Sequence, residues 1–419
     1  MAFQFARHAR RFALPAMLGL SGTAAGCIAD QGASQEGSEG ASADAITEVD
    51  QSVVKRQSIG NCWIYATASW AESLHKSVAG EEVNLSESYW TYWHWFDQIA
   101  NGSVGSTIST GGSFNTAAEI INRYGMMIEG DFIPSESSAE MSRHQATAEA
   151  AVNVSLASGA LKAPAARKDR TIVRTELNRI WGLTASTVAD MDRVFGANTS
   201  RTLDRAAVTT GTTVKAAKSL PISIFNARTN ANVTATLQDA IGTRNGFGRA
   251  GALAWNEVSY PTSDLDRRHF QERFQKALQH KVPVVLSWYV DFNAMAPGGK
   301  FFAPPATPGR QGGHMVVMED YQATNVPGFG TLPVGVLETR PAALAALLDD
   351  KTKIEFIRIK NSWGSVRPDR NFTDGYHDLY MTYMNGPVQQ CEVDANENPK
   401  PGTCFGTTPF ESVVLPPGL

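Results

Sequence analysis

The first part of the chain carries the four-residue spacing of apolar side chains that is typical of amphipathic helices. From Cys62 to about Val78, the side chains of Ala66, Trp70 and Leu74 fall on one helical face, and Gly80 is a typical helix stop. The next predicted elements are a helix that begins at 85–87, an aromatic run over 89–96 that we assign to the core, and a helix over 115–124.

The last part of the chain shows the apolar runs and the alternation of apolar and polar positions that indicate strands. Strands are predicted at 282–290, 314–321, 354–359 and 376–383, after a helix over 270–278. Between the two parts, residues from about 135 to 250 show patches of helical periodicity, so we interpret them as a mainly helical insertion. Helices followed by antiparallel strands predict the α+β class.

The N-terminus has the pattern of an export signal, which we place at residues 1–27. Three arginines precede the short apolar run 12–20, which is too short to span a bilayer. The residues before Cys27 resemble a bacterial lipobox, in which that cysteine is lipidated, although Ala24 stands where leucine is usual. We predict a lipoprotein of the outer membrane or cell surface, or a secreted or periplasmic protein after simple cleavage. A retained anchor and a twin-arginine signal stay open as alternatives.

Composition separates a linker from one globular domain. Residues 28–50 carry six acids and no Lys or Arg, and such a segment buries too little apolar surface to fold. It is predicted to be a disordered acidic linker, and 51–419 is assigned to the domain. The net charge of −4 and the lack of a basic run argue against a nucleic-acid partner. Apart from a lipid anchor, no membrane contact is expected.

Three separated motifs contain residues that together can activate a thiol. Cys62 follows a Gly-Asn turn at the predicted N-terminus of the first helix, where the helix dipole favours a thiolate. His314 follows Gly313 at the start of a strand, and Asn361 opens the sequence Asn-Ser-Trp-Gly that contains Trp363. A histidine can accept the thiol proton and an asparagine can orient the imidazole. The set therefore predicts nucleophilic acyl transfer.

In their order along the chain, these motifs resemble those of the papain-like cysteine peptidases. The matching segments are Gly60-Asn61-Cys62-Trp63, Leu85-Ser86-Glu87, Gly111-Gly112, Gly313-His314, Asn361-Ser362-Trp363-Gly364 and Gly375-Tyr376. The resemblance implies a two-lobe fold with a helical lobe and an antiparallel β-sheet or barrel lobe. It also implies hydrolysis of a peptide or protein substrate through a thioester acyl-enzyme, without a cofactor.

The same resemblance implies a role for each site residue. Cys62 would be the nucleophile, His314 the base and Asn361 its orienting partner. Gln57 would supply an oxyanion donor, although it precedes Cys62 by five positions where the family usually has six. The residues implied around this set are Trp63, Gly112, Gly313 and Trp363.

The long segment between Cys62 and His314 adds some likeness to the bleomycin hydrolase and aminopeptidase C branch. In that branch the C-terminus of the chain lies in the cleft, so the tail 413–419 is a candidate to do the same here. Two other functions stay open. The same three residues could run transpeptidation or amide transfer, and the shifted Gln57 would fit a binding scaffold with a weak or inactive site.

The remaining cysteines and the metal motifs add less. Cys391 and Cys404 are expected to form a disulfide because exported proteins meet oxidising conditions, and two unpaired thiols are the alternative. The sequence contains neither His-Glu-x-x-His nor paired Cys-x-x-Cys motifs, so no metal site is predicted.

Overall fold

The computed structural model describes residues 49–203, 209–246, 248–365, 374–392 and 398–419. Within them, helices come first and a large antiparallel sheet follows, so the predicted α+β class is confirmed. The predicted export signal, Cys27 and the linker up to residue 48 lie outside the described residues. None of the helices in the described ranges combines the length and the apolar character that a bilayer crossing requires.

The helical lobe is built around two long helices. Helix α1 (Cys62–Ala79) ends at Gly80, which adopts the left-handed conformation at φ 70° that glycine tolerates best. Helix α2 (Glu87–Ala100) is capped by Ser86, whose Oγ accepts the Tyr89 N–H at 3.0 Å, and all six Tyr, Trp and Phe rings of the run 89–96 are buried. The further helices of this lobe are α3 (Phe114–Tyr124), α4 (Glu129–Phe132), α5 (Arg143–Ser158), α6 (Pro164–Lys168), α7 (Arg170–Ile180), α8 (Ala185–Phe195) and α9 (Leu237–Ile241).

The segment 135–250 is mainly helical in its first half, and the short helix α9 is the only α-helix among the described residues of its second half. Helices α5 to α8 fill 143–195, whereas two β-hairpins occupy much of the second half. Their strands are β1 (Pro221–Asn226) with β2 (Ala231–Thr236), and β3 (Thr243–Asn245) with β4 (Gly248–Ala250). Ile222 and Ile224 are fully buried, and the β-branched residues of this hairpin favour strand geometry. Asn230 closes the turn at φ 48°, a conformation that asparagine tolerates.

The later part of the chain forms a nine-stranded sheet. Its strands are β5 (Asn256–Ser259), β6 (Val284–Asp291), β7 (Met295–Ala296), β8 (Lys300–Phe301), β9 (Gln311–Val326), β10 (Gly330–Leu332), β11 (Lys353–Lys360), β12 (Tyr376–Tyr380) and β15 (Phe410–Leu415). The order is β5-β15-β6-β9-β11-β12-β8-β7 with β10 beside β9, and only the β12–β8 pair is parallel. Strands β13 (Val388–Gln390) and β14 (Phe405–Thr407) form a separate hairpin.

Three of the predicted elements differ from the observed ones in length. The helix predicted at 270–278 is α10 (Asp264–Gln279), which begins at the N-cap Ser263, and the strand predicted at 376–383 gives way at Met381 to helix α12 (Met381–Asn385). Strand β9 runs through 311–326 because it pairs with β6 at one end and with β11 further along. Helix α11 (Pro341–Ala346) lies in the excursion between β9 and β11.

The sheet separates two hydrophobic cores. Along β9, Met315 and Val317 belong to the core of the helical lobe, whereas Val316 and Met318 belong to a second core with α10, α11 and α12. This alternation is the period of a strand buried on both faces. Helix α1 packs against β9, which brings the N-terminus of a helix from one lobe to a strand of the other.

The C-terminal segment is part of the sheet. Val413, Val414 and Leu415 are buried in β15 between β5 and β6, and the Leu419 carbonyl accepts a hydrogen bond from Arg273. The tail is thus not free to lie along a cleft, because its backbone hydrogen bonds are used by two neighbouring strands.

Candidate active site

Cys62 is the first residue of α1 and is 7% exposed. The turn that precedes it is held in place by Asn61, whose Nδ2 donates to Thr91 Oγ1 at 3.0 Å and to Gln145 Oε1 at 2.9 Å. The first turn of α1 contains no acidic residue, so no carboxylate of the helix itself opposes the effect of the helix dipole on the thiol. The backbone N–H of Met315 on β9 also hydrogen-bonds the thiol.

His314 and Asn361 are brought together by the pairing of β9 with β11. The distance between His314 Nε2 and Asn361 Oδ1 is 2.7 Å. Asn361 follows the last residue of β11, and its backbone N–H donates to the Gly375 carbonyl at 2.9 Å. The indole of Trp363 stacks on the imidazole with 4.8 Å between ring centroids and 21° between planes. Such a cover excludes water from the His314–Asn361 hydrogen bond.

This geometry defines the tautomer of His314. The Ser362 backbone N–H also donates to Asn361 Oδ1, at 2.8 Å. This bond fixes the orientation of the Asn361 amide, so the atom that faces His314 is the oxygen, which can only accept a hydrogen bond. His314 Nε2 must then carry the hydrogen. In the neutral imidazole, Nδ1 is consequently the nitrogen with the free lone pair, and it is the atom that can accept a proton.

Cys62 and His314 line one cavity of about 150 Å³. Gly112 borders this cavity beside the indole of Trp63. The position requires glycine, because a Cβ would lie 2.5 Å from a carbon of the indole ring. The Trp63 Nε1–H in turn donates to the Thr110 carbonyl at 2.8 Å. The complete lining is Gly60, Cys62, Trp63, Gly111, Gly112, Ser287, Gly313, His314, Met315 and Glu411. Of the predicted site residues, Cys62, His314, Trp63, Gly112 and Gly313 therefore meet at one place.

Burial acts on the two titrating groups in opposite directions. It raises the pKa of the Cys62 thiol to about 11, against hydrogen bonds from backbone N–H groups that lower it. It lowers the pKa of the His314 imidazole to about 4, against the hydrogen bond to Asn361 that raises it. Both groups are thus neutral near pH 7. A thiolate forms there only if its proton moves to a neighbouring base, so that the two new charges stabilise each other.

Gln57 lies beside the site with its amide turned into the turn before α1. Its Nε2 donates to the Ile59 carbonyl at 2.8 Å, and its Oε1 accepts the Ser362 hydroxyl at 2.6 Å. Gln57 does not line the cavity. The Ile59 carbonyl uses one of the two hydrogens on Nε2, so an oxyanion donor would need the other one to reach the cavity. The role expected for Gln57 stays a prediction.

Other predicted or potential sites lie outside this cavity. Cys391 and Cys404 form a disulfide that closes the chain segment between β13 and β14. The described residues also contain one group with potential metal ligands, in which atoms of His269, Glu272 and Asp350 lie within 4.8 Å of one another. Glu272 Oε1 is 3.7 Å from Arg268 Nε, a cation that would compete with a metal ion.

The sequence motifs did not indicate Ser287 and Glu411, which line the cavity, and they gave no role to Ser362, which lies inside the Asn-Ser-Trp-Gly motif. Ser287 and Glu411 line the cavity from β6 and β15, and Ser362 links Gln57 to the Asn361 segment. The only local signal for Glu411 is that it is the single charged residue of strand Phe410–Leu415. The sequence does not show that this strand forms part of the cavity wall.

No protein-family model matches the sequence, and no curated protein matches it significantly. Three solved structures are similar to most of the chain. PepW from Lactobacillus rhamnosis has 11% identity and a TM-score of 0.42, covering 88% of this chain and 81% of that chain. Xylellain, a cysteine protease from Xylella fastidiosa, has 13% identity and a TM-score of 0.35, with 89% and 84% covered. A structure on the antibody cross reactivity of the mite allergens Blo t 1 and Der p 1 has 12% identity and a TM-score of 0.33, with 87% and 67% covered.

Proposed function

We propose that this protein is a papain-like cysteine peptidase in which Cys62 is the nucleophile. The observation that carries the proposal is the placement of the Cys62 thiol and the His314 imidazole in one cavity, with Asn361 bonded to the far nitrogen of that imidazole. A thiol, a base and a group that orients the base are the three components of nucleophilic acyl transfer.

The proposed reaction proceeds in two halves. Cys62 Sγ attacks the carbonyl carbon of the scissile bond while its proton passes to His314 Nδ1, which removes the cost of holding a lone thiolate in a buried site. The Cys62 backbone N–H and its neighbours at the start of α1 face the developing oxyanion. His314 then gives the proton to the leaving amine, and a thioester remains on Cys62. Water, deprotonated by His314, hydrolyses the thioester and regenerates the thiol.

The test of this function is an analysis of reaction products. The full chain and its Cys62→Ala variant are incubated with a peptide mixture in water enriched in ¹⁸O, with and without an added primary amine. Peptidase activity predicts Cys62-dependent cleavage with one ¹⁸O atom incorporated into each new carboxyl group. Amide products that dominate once the amine is present would favour a transferase, and an unchanged mixture would favour the binding scaffold.

Replacing Asn361 by alanine is expected to lower kcat by about 10- to 100-fold with little change in KM. The reason is that His314 loses the acceptor that fixes Nε2–H and leaves Nδ1 free to act as the base. The measurement is steady-state kinetics on a peptide substrate found in the product analysis. Asn178→Ala is the matched control, because Asn178 Oδ1 also accepts a hydrogen bond, from Tyr92, but lies on α7 outside the cavity. Equal rates for the two variants would contradict the role of Asn361.

The site of action belongs to the proposal as well. The signal-like segment 1–27 and the lipobox-like residues before Cys27 support export and a lipid anchor. An acidic linker would then hold the catalytic domain away from the membrane surface.

A further inference from the structure

Glu411 is an acid in the wall of the active-site cavity that the proposed mechanism does not use. It lies on β15, where its neighbours Phe410 and Ser412 are buried, whereas its own side chain is exposed and borders the cavity. The cavity lining contains no Lys or Arg. An exposed carboxylate beside a buried thiol therefore gives this end of the cavity a negative charge.

The position of Glu411 is built into the sheet. Its neighbour Ser412 pairs in register with Ser287 on β6 and with Ser259 on β5, and Ser412 Oγ donates to Glu257 Oε1 at 2.7 Å. Glu411 itself stands where the register between β15 and β6 shifts, between Phe410 and Ser412, and its carbonyl accepts the Tyr260 N–H at 2.8 Å. Such an irregularity redirects a side chain, and here the Glu411 side chain borders the cavity. A second acid, Glu257, lies close by and adds to the negative potential.

Glu411 is close enough to the thiol to influence it. Burial is the main cause of the raised pKa of Cys62, and the charge of Glu411 adds to it. An acid that raises the pKa of a nucleophilic thiol weakens the nucleophile unless a cation neutralises the acid. No cation among the described residues acts on Glu411. Its own pKa is raised to about 7, first by partial desolvation in the cleft wall and then by Glu257.

We propose that Glu411 forms a subsite for a positively charged group of the substrate, next to the bond that Cys62 attacks. The inference rests on the peptidase function proposed above and names its substrate class. A peptide offers such a cation in two places, as the guanidinium or ammonium of a basic side chain or as its free α-amine. In either case the cation pairs with the carboxylate at the mouth of the cavity, and the bound substrate itself shields the pair from water and thereby strengthens it.

The proposal predicts a defined dependence on pH. A carboxyl group whose pKa is raised to about 7 is ionised above that pH and neutral below it. Glu257 from β5 acts on this carboxyl group, and Cys62 and His314, which line the same cavity, are neutral near pH 7. For a basic side chain, which stays protonated, the preference is therefore full above about pH 8 and fades as the pH falls through 7 towards 5. For a free α-amine, which loses its own proton near pH ~8, the preference is greatest between about pH 7 and 8. Removal of the Glu257 charge should lower the pKa of Glu411 and extend the preference to lower pH.

A first experiment measures the charge at the site without requiring peptide hydrolysis. The full chain is treated with a cationic thiol reagent, 2-(trimethylammonium)ethyl methanethiosulfonate, or with neutral methyl methanethiosulfonate. Modification of Cys62 is followed by the mass of its peptide. The ratio of the two rates cancels the intrinsic reactivity of the thiol. At about pH 8.5, Glu411→Gln is expected to lower this ratio by about tenfold relative to the wild type.

Matched variants separate the subsite from general charge effects. Glu81→Gln removes the same charge just beyond the far end of α1, roughly 27 Å along the helix from Cys62, and should leave the ratio unchanged. Glu257→Gln should lower the ratio at about pH 8.5 much less than Glu411→Gln does, and it should retain more of its own ratio at about pH 5.5, because it lowers the pKa of Glu411. A ratio that Glu411→Gln does not change would overturn the proposal.

A second experiment identifies the source of the cation. Four matched peptides carry arginine or its neutral analogue citrulline beside the scissile bond, with either a free or an acetylated N-terminus. An arginine preference that is lost in Glu411→Gln assigns the subsite to a side chain, and a free-amine preference lost in the same variant assigns it to the peptide N-terminus. Cys62-dependent hydrolysis with neither preference contradicts the subsite and leaves the peptidase function standing. No hydrolysis, combined with a charge-dependent labelling ratio, contradicts the peptidase function and supports a cation site.

Discussion

Replacing Cys62 by alanine is expected to lower kcat/KM for peptide hydrolysis by at least about 10⁴-fold. Without the thiol, no acyl-enzyme forms, and water would have to attack the substrate directly. The cavity and the first turn of α1 would stay in place, because alanine removes only one sulfur atom from a small side chain. Any residual activity of the variant would thus measure the rate enhancement that substrate binding and the backbone oxyanion donors supply without the thiol.

Two histidine variants sharpen this result. His314→Ala removes the base and should approach the loss seen with Cys62→Ala, because the two residues act as one unit. His75→Gln is the matched control, since His75 is also buried and lies on α1, where its Nδ1 contacts the Pro221 carbonyl at 2.8 Å. Its kcat/KM should stay within about twofold of the wild type. Equal losses in the two histidine variants would indicate a general effect of burial rather than catalysis by His314.

Replacing Lys55 by methionine is expected to lower the free energy of unfolding by about 3–5 kcal/mol. Lys55 is buried just before the turn that leads to Cys62, and its Nζ lies 2.8 Å from Glu72 Oε1 and 2.7 Å from Glu87 Oε1. It also donates to the Leu85 carbonyl at 3.2 Å. The variant leaves two carboxylates of α1 and α2 buried without their cation. The measurement is denaturant unfolding followed by tryptophan fluorescence.

The same variant should respond to pH. Even with Lys55 present, burial raises the pKa of Glu87 to about 7, and loss of the cation would raise it further. A carboxyl with a raised pKa in the folded state binds more protons folded than unfolded, so stability should fall as the pH rises from about 5 to about 8. The control is Lys76→Met, which breaks an ion pair with Glu82 at the surface and should cost at most about 1 kcal/mol. Similar losses in the two lysine variants would contradict the account of the buried cluster.

The sequence predicted those parts of the site that depend on local signals. The start of α1 at Cys62 follows from the four-residue apolar period and from the Gly-Asn turn, both of which can be read within one segment. The burial of the aromatic run and the cap at Ser86 were likewise predicted and are confirmed. In each case neighbouring residues determine the conformation, so periodicity and capping chemistry were sufficient.

Features that arise from distant pairings were not accessible in this way. The two hairpins in 221–250 lie in the segment that we interpreted as a mainly helical insertion, and burial of the β-branched Ile222 and Ile224 against the helical lobe favours strands in the first of them. The tail was a candidate to enter the cleft because its sequence does not show that β5 and β6 pair with β15. Glu411 was missed for the same reason, since only the sheet order places it beside Cys62.

The most direct test of the central claim is covalent labelling of Cys62 by an epoxysuccinyl thiol-peptidase inhibitor, read by intact mass and located by peptide mass. Cys62 is the free cysteine among the described residues, because Cys391 and Cys404 are joined to each other. The account predicts one adduct on the wild-type chain at Cys62, none on Cys62→Ala, and much slower labelling of His314→Ala. A wild-type chain that forms no adduct, or one that labels as fast without His314, would contradict a thiol activated by this histidine.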